Sequence, residues 1–183
     1  MENTRAKSTR NSLILLLTAT IWGMAFVSQS KGMDYMHPFT FNGVRSLIGA
    51  ASILVYILIS RKIAGDKAAP LDLKLNVKAG LLCGIFLTIA STLQQFGIKY
   101  TSVGKAGFIT TLYIIFVPMF GIFLKKKVAP VVWAAAVMAA VGMYLLCMTE
   151  SLRLGAGDIM VFLCAIAFAI QIMTVDHYAA RID

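Results

Sequence analysis

Apolar residues along this chain gather in six long blocks, and polar residues are confined almost entirely to the connectors between them. The blocks cover about 12–30, 39–60, 77–98, 103–124, 131–149 and 158–176. Each approaches the roughly 20 residues that a helix needs to cross a hydrocarbon core. A transmembrane barrel would show short segments alternating apolar and polar, and none is present. The pattern predicts an all-α integral membrane protein, a bundle of about six transmembrane helices. A basic start before an apolar run also resembles a signal peptide, with Ser28-Gln29-Ser30 as a possible cleavage site. The length of the first block, and the further blocks directly after it, favour a retained helix.

Composition sharpens this picture. The chain has 183 residues, of which 59% are hydrophobic and only 14% charged. Its mean hydropathy is +0.81, far from the average soluble domain. The net charge of +9 would suit a nucleic-acid partner, but its distribution argues against one. The cations sit in the connectors, where they set membrane orientation. With the N-terminus in the cytoplasm, one side holds Arg5, Lys7, Arg10, Arg61, Lys62, Lys67, Lys74, Lys78, Lys125, Lys126, Lys127 and Arg181. The other holds Lys31, Lys99, Lys105 and Arg153, with Arg45 left inside a block. The bias predicts cytoplasmic termini, and the triple lysine also suits anionic lipid. Cys83, Cys147 and Cys164 lie inside apolar blocks without metal-ligand spacing and read as core residues. No cofactor or metal is expected.

Shifting the chain by 146 residues lays the sixth block on the first. Leu17–Val27 then meets Leu163–Met173, and Trp22-Gly23 overlies Phe168-Ala169. After five spans, a sixth that restarts the pattern must cross in the opposite direction. That is the arithmetic of an inverted-topology repeat, a common transporter architecture. The chain divides into a cytoplasmic tail (1–11), a first five-span repeat (12–149), and a connector with the first helix of an incomplete second repeat (150–183). A complete pair needs roughly 300 residues at this span length. The chain is then either a truncated form or a half that assembles with a complementary partner or with itself.

Few polar residues stand inside the blocks. Arg45 lies about 10 Å along the second span from Pro38. It reads either as a cation facing a cavity, suited to a carboxylate, or as a structural arginine that snorkels and caps carbonyls. Gln94 and Gln95 close the third span; about 100° apart on a helix, they cannot face the same way. Either glutamine could line a pore or bond between helices. Lys105, three residues into the fourth span, is expected to snorkel outward. Gly104 and Gly107 suit close helix approach, and Tyr113 needs a partner for its hydroxyl. Pro118 frees a carbonyl in mid-span, as a hinge or as an architectural kink. Trp22 is too deep for an interfacial belt and suits a cavity wall or plain packing. Gln171 adds a polar group in the sixth span. No acid lies at the centre of a span, and His37 and His177 are at span ends.

These features, in this order, resemble the drug/metabolite transporter superfamily in its EamA-type ten-helix branch. The resemblance rests on Trp22-Gly23, on His37-Pro38-Phe39-Thr40-Phe41 running to Arg45, on Gln94 with Lys99-Tyr100-Thr101-Ser102 and Gly104-Lys105-Ala106, and on the Pro118 region. It covers the whole chain. One departure is that the family commonly has a glycine-glutamate pair after the fourth span, where this chain reads Lys125-Lys126. The related small multidrug-resistance transporters use a first-span glutamate for proton coupling, and this first span has no acid. The resemblance implies transport of small metabolites, amino-acid-like or drug-like solutes, mainly by export, in a bacterial inner membrane. Alternating access would hold substrate between the repeats, with spans one, three, four and six lining the pocket. Candidate lining residues are Trp22, Arg45, Gln94, Gln95, Tyr113 and Gln171, and candidate hinges Pro118, Gly104 and Gly107. The alternative is a half-length membrane interaction or regulatory subunit that moves nothing alone. An intramembrane enzyme is not expected, because no span offers a nucleophile–base pair.

Overall fold

A computed structural model describes residues 2–65, 72–125, 128–147, 155–179 and 181. Lys67, Lys126, Lys127 and Arg153 of the sequence reading lie outside the described residues. The described chain forms seven helices: α1 (Glu2–Gly32), α2 (Pro38–Ala64), α3 (Leu73–Tyr100), α4 (Val103–Thr111), α5 (Tyr113–Phe123), α6 (Pro130–Cys147) and α7 (Ala156–Ala179). Five passes are long and apolar enough to cross a membrane: 9–32, α2, α3, α4 with α5, and α7. In α6, 130–142 forms a shorter apolar helix. Among the described residues there is no strand. The protein is an all-α membrane bundle.

Two differences from the sequence reading concern element limits. The basic stretch read as a tail is helical from Glu2, continuing α1 by nearly three turns. The fourth span is broken at Leu112 into α4 and α5. There the Leu112 N–H bonds to the Ile109 carbonyl at 3.2 Å, a tight i→i−3 turn within right-handed backbone.

Local chemistry accounts for the other ends. Pro38 occupies the first turn of α2, where its missing N–H has no partner to lose. The Asp72 carboxylate accepts from the Leu75 N–H at 3.0 Å and starts α3. The Ser102 hydroxyl accepts from the Lys105 N–H at 3.2 Å and starts α4. At the far end of α5, Lys125 holds φ at +58°, a left-handed conformation that glycine adopts without steric cost.

Side-chain contacts fix the directions of the passes. The C-terminal end of α1 meets that of α3, through Gln95 Nε2 donating to the Gln29 carbonyl at 3.3 Å. The start of α2 lies at the same level: Asn42 Nδ2 donates to the Ser91 carbonyl at 3.1 Å, and the His37, Phe39 and Phe96 rings cluster. The start of α7 is there too, since Gly157 abuts Gly97 and Tyr100. Helix α7 therefore runs antiparallel to both α3 and α1.

The tightest packing is between α3 and α7. A Cβ on Gly97 would stand 2.4 Å from a Val161 methyl, and one on Gly157 would stand 2.8 Å from the Gly97 carbonyl oxygen. Ala90 on α3 and Cys164 and Ala167 on α7 continue the contact as buried neighbours. Small residues let helix backbones approach where lipid supplies no hydrophobic drive between helices. Leu13–Leu17 of α1 and Ile53–Ile59 of α2 instead present exposed apolar side chains, as a lipid-facing wall requires.

Candidate functional site

A cavity of about 210 Å3 lies among the middle turns of the bundle. Trp22 and Gln29 of α1, Arg45 of α2, Ser91 and Gln94 of α3, Thr110 of α4, Tyr113 of α5 and Phe168 of α7 contribute to its lining. Four of the six candidate residues thus converge on one space. Trp22 and Phe168, superposed by the shift of 146 residues, both face it although their helices run in opposite directions.

Arg45 enters the site on a polar chain. Its Nη2 donates to Asn42 Oδ1 at 3.0 Å, one helical turn back, and Asn42 in turn donates to the Ser91 carbonyl. The guanidinium also lies 5.8 Å from the centre of the Phe41 ring. No carboxylate pairs with Arg45 among the described residues. Only one of its donors is accounted for by these bonds, so the fork retains donors for an anionic group.

The two glutamines separate as their helical angle requires. Gln94 lines the cavity and its Nε2 donates to Thr110 Oγ1 at 3.3 Å. Gln95 turns toward α1 and is fully buried there, so the expectation that it lines this cavity is corrected. Gln171 is half-buried on α7 but absent from the lining. It lies three residues past Phe168, about 4.5 Å farther toward the opposite end of the bundle.

Lys105 corrects a further expectation. Its ammonium does not reach outward but sits 2.6 Å from the Asp158 carboxylate, whose side chain is only 2% exposed. Asp158 also accepts from the Thr101 hydroxyl and, at 2.8 Å, from the Gly155 N–H. The last bond is the carboxylate half of a capping box at the start of α7. The cluster ties the α3–α4 corner to α7, and neither its pairing nor the role of Asp158 was anticipated from sequence.

The candidate hinges also sort out. Pro118 is buried inside α5, leaving the Ile114 carbonyl without its usual helical donor. Gly107 has open space where a Cβ would stand, so the close approach expected there occurs instead at Gly97 and Gly157. Gly104 is exposed near the start of α4. The break at Leu112 lies at the cavity wall, between the lining residues Thr111 and Tyr113. Interruptions of this kind in a helix often mark a functional hinge.

Membrane-spanning helices enclosing a partly polar cavity, with an arginine on its wall, define a class: polytopic membrane proteins with an internal solute-sized site. Residues 10–148 match the EamA-like transporter family, and the chain belongs to that family. It is 30% identical over 171 residues to a protein from Archaeoglobus fulgidus named an uncharacterized transporter. That match covers 90% of this chain and 48% of the relative, so the chain spans about half the relative's length. No solved structure matches the chain.

Proposed function

We propose that this chain supplies one half of an alternating-access carrier for small metabolites, amino-acid-like or drug-like solutes, working in export. The observation that carries the reading is the convergence of Trp22, Arg45, Gln94 and Tyr113 on one cavity. Arg45 holds an anionic group of the solute, Gln94 and the Tyr113 hydroxyl supply neutral polar contacts, and Trp22 and Phe168 form apolar walls. The opposite wall comes from a second repeat, begun by α7 and completed by further spans or by another copy. The helix break at Leu112 and the hydrogen bond missing at Pro118 let α4 and α5 bend at the cavity wall during exchange. The protein resides in a bacterial inner membrane with its N-terminus in the cytoplasm, as the lysine and arginine bias favours.

A second reading is a half-length interaction or regulatory subunit with no transport of its own. Reconstitution into liposomes separates the two. The carrier reading expects saturable exchange of a labelled small carboxylate. It also expects a detergent-solubilised particle heavier than the 19.9 kDa chain, by self-association or a complementary half. A lone monomer without exchange contradicts both readings, whereas a stable complex that moves no solute supports the subunit.

A further inference from the structure

Helices α3, α4 with α5, and α7 are packed shut at one end and part at the other. Where α4 and α7 begin, Ile98, Ala106, Ile109 and Val161 form a buried cluster, with Phe26 of α1 and Leu112 packed against it. At the opposite end a groove of about 500 Å3 separates the same helices, lined among others by Leu82, Phe120, Ile170 and Met173. The cavity with Trp22 and Arg45 lies between the two levels, at Gln94, Thr110 and Phe168. Along each helix the order is the same: packed cluster, cavity, groove. A solute entering along the bundle from the packed end meets the cluster first.

Of these elements, α4 has the fewest constraints on moving by itself. Helices α3 and α7 are held together where Gly97 meets Val161 and Gly157 meets Tyr100, with no room for a side chain on either glycine. Helix α4 has only nine residues, bounded by the corner at Thr101–Ser102 and by the tight turn at Leu112. Its side toward α6 faces Ala136, Ala139 and Ala140 around a void of about 10 Å3. Its side toward α7 is fastened by the Lys105 ammonium, 2.6 Å from the Asp158 carboxylate. The other two bonds of that carboxylate, from the Thr101 hydroxyl and the Gly155 N–H, stay within the α3–α7 frame. Asp158 therefore keeps two donors if the ammonium leaves. Lys105, near the start of its helix, can then extend its head to the interface.

We propose that α4 is a gate over the cavity on the side where α1 ends, hinged at Leu112, and that the Lys105–Asp158 ion pair is its latch. The gate rests on the carrier reading and adds to it which helix moves, on which side, and what holds it. Opening breaks the ion pair and withdraws Ala106 and Ile109 from Ile98 and Val161, while α3 and α7 stay together.

The test is thiol accessibility in the full chain in membranes, with Cys83, Cys147 and Cys164 replaced by alanine. Ser91→Cys reports from the cavity wall. Ala167→Cys, buried in the α3–α7 contact, reports general loosening. Tyr35→Cys, after the end of α1, marks the face from which an impermeant maleimide must act. From that face, Lys105→Met and Asp158→Asn should each speed labelling of Ser91→Cys at least about tenfold, as expected when a closed–open equilibrium shifts. Labelling of Ala167→Cys should stay slow. Because those variants strand a buried charge, Lys105→Gln, which keeps a donor for Asp158, is measured beside them and should give a smaller rise. Unchanged labelling of Ser91→Cys in all three variants overturns the gate. An equal rise at Ala167→Cys also overturns it, since the pair then only holds the bundle together. Neither result touches the carrier reading, which fails separately if liposomes show no saturable exchange.

Discussion

Lys105 and Asp158 meet across 53 residues of sequence, and their pairing decides how the α3–α4 corner is held. Removing one partner leaves the other charge buried and uncompensated, which typically costs about 3–5 kcal/mol. Lys105→Met or Asp158→Asn should therefore lower the melting temperature in detergent strongly. Exchanging the two residues should recover part of the loss. It should not recover all of it, because Asp158 also accepts from Thr101 and Gly155. A charge swap no better than the single variants would count against a direct pair. Sequence could not disclose this contact, since each residue stands near the end of its own span and nothing local links them. Arg45 was legible because a charge inside an apolar block is conspicuous; Asn42, three residues before it, was the available signal for its anchor. Gln94 and Gln95 carry a further prediction. Gln94→Ala, at the cavity wall, should change solute affinity, whereas Gln95→Ala should act mainly on the α1–α3 contact and so on melting. Lys125→Gly should stabilise by about 1 kcal/mol by relieving its left-handed backbone, as a denaturation midpoint would register.

Among elements, the α3–α7 crossing is the part of the fold with least room for change. Gly157→Leu would drive a side chain into the Tyr100 backbone and the Gly97 carbonyl, and should cost well over the roughly 1–3 kcal/mol typical of overpacking. The variant is expected to lose folded yield in membranes, measurable by size-exclusion profiles. Normal yield and melting would show that the two helices can part freely. The five long passes were legible because bilayer thickness imposes length and hydropathy on each, and the fifth block of the sequence forms the shorter apolar helix of α6. The break at Leu112 was not, because Leu, Tyr and Thr around it carry no breaker signal; only the neighbouring Pro118 hinted at irregularity. Gly104 and Gly107 drew attention as small residues near a corner. The close approach formed instead at Gly97 and Gly157, and which glycines meet depends on packing between distant helices.

At the scale of the whole molecule, α1 and α7 run in opposite directions, and Trp22 and Phe168 line one cavity. The likeness of the sixth block to the first was faint in sequence, while the cavity required the helices to be placed. The charge bias predicts a cytoplasmic N-terminus, and Tyr35, 86% exposed after α1, offers a place to check it. A Tyr35→Cys variant should react with an impermeant thiol reagent in intact cells, and Lys62→Cys only after lysis. The reverse pattern would invert the topology. The central claim is that Arg45 serves solute transfer in this cavity. Exchange of a labelled small carboxylate in proteoliposomes, comparing the native protein with Arg45→Ala at equal incorporation, tests it most directly. The account predicts saturable exchange that the substitution abolishes; exchange at the native rate in Arg45→Ala would contradict it.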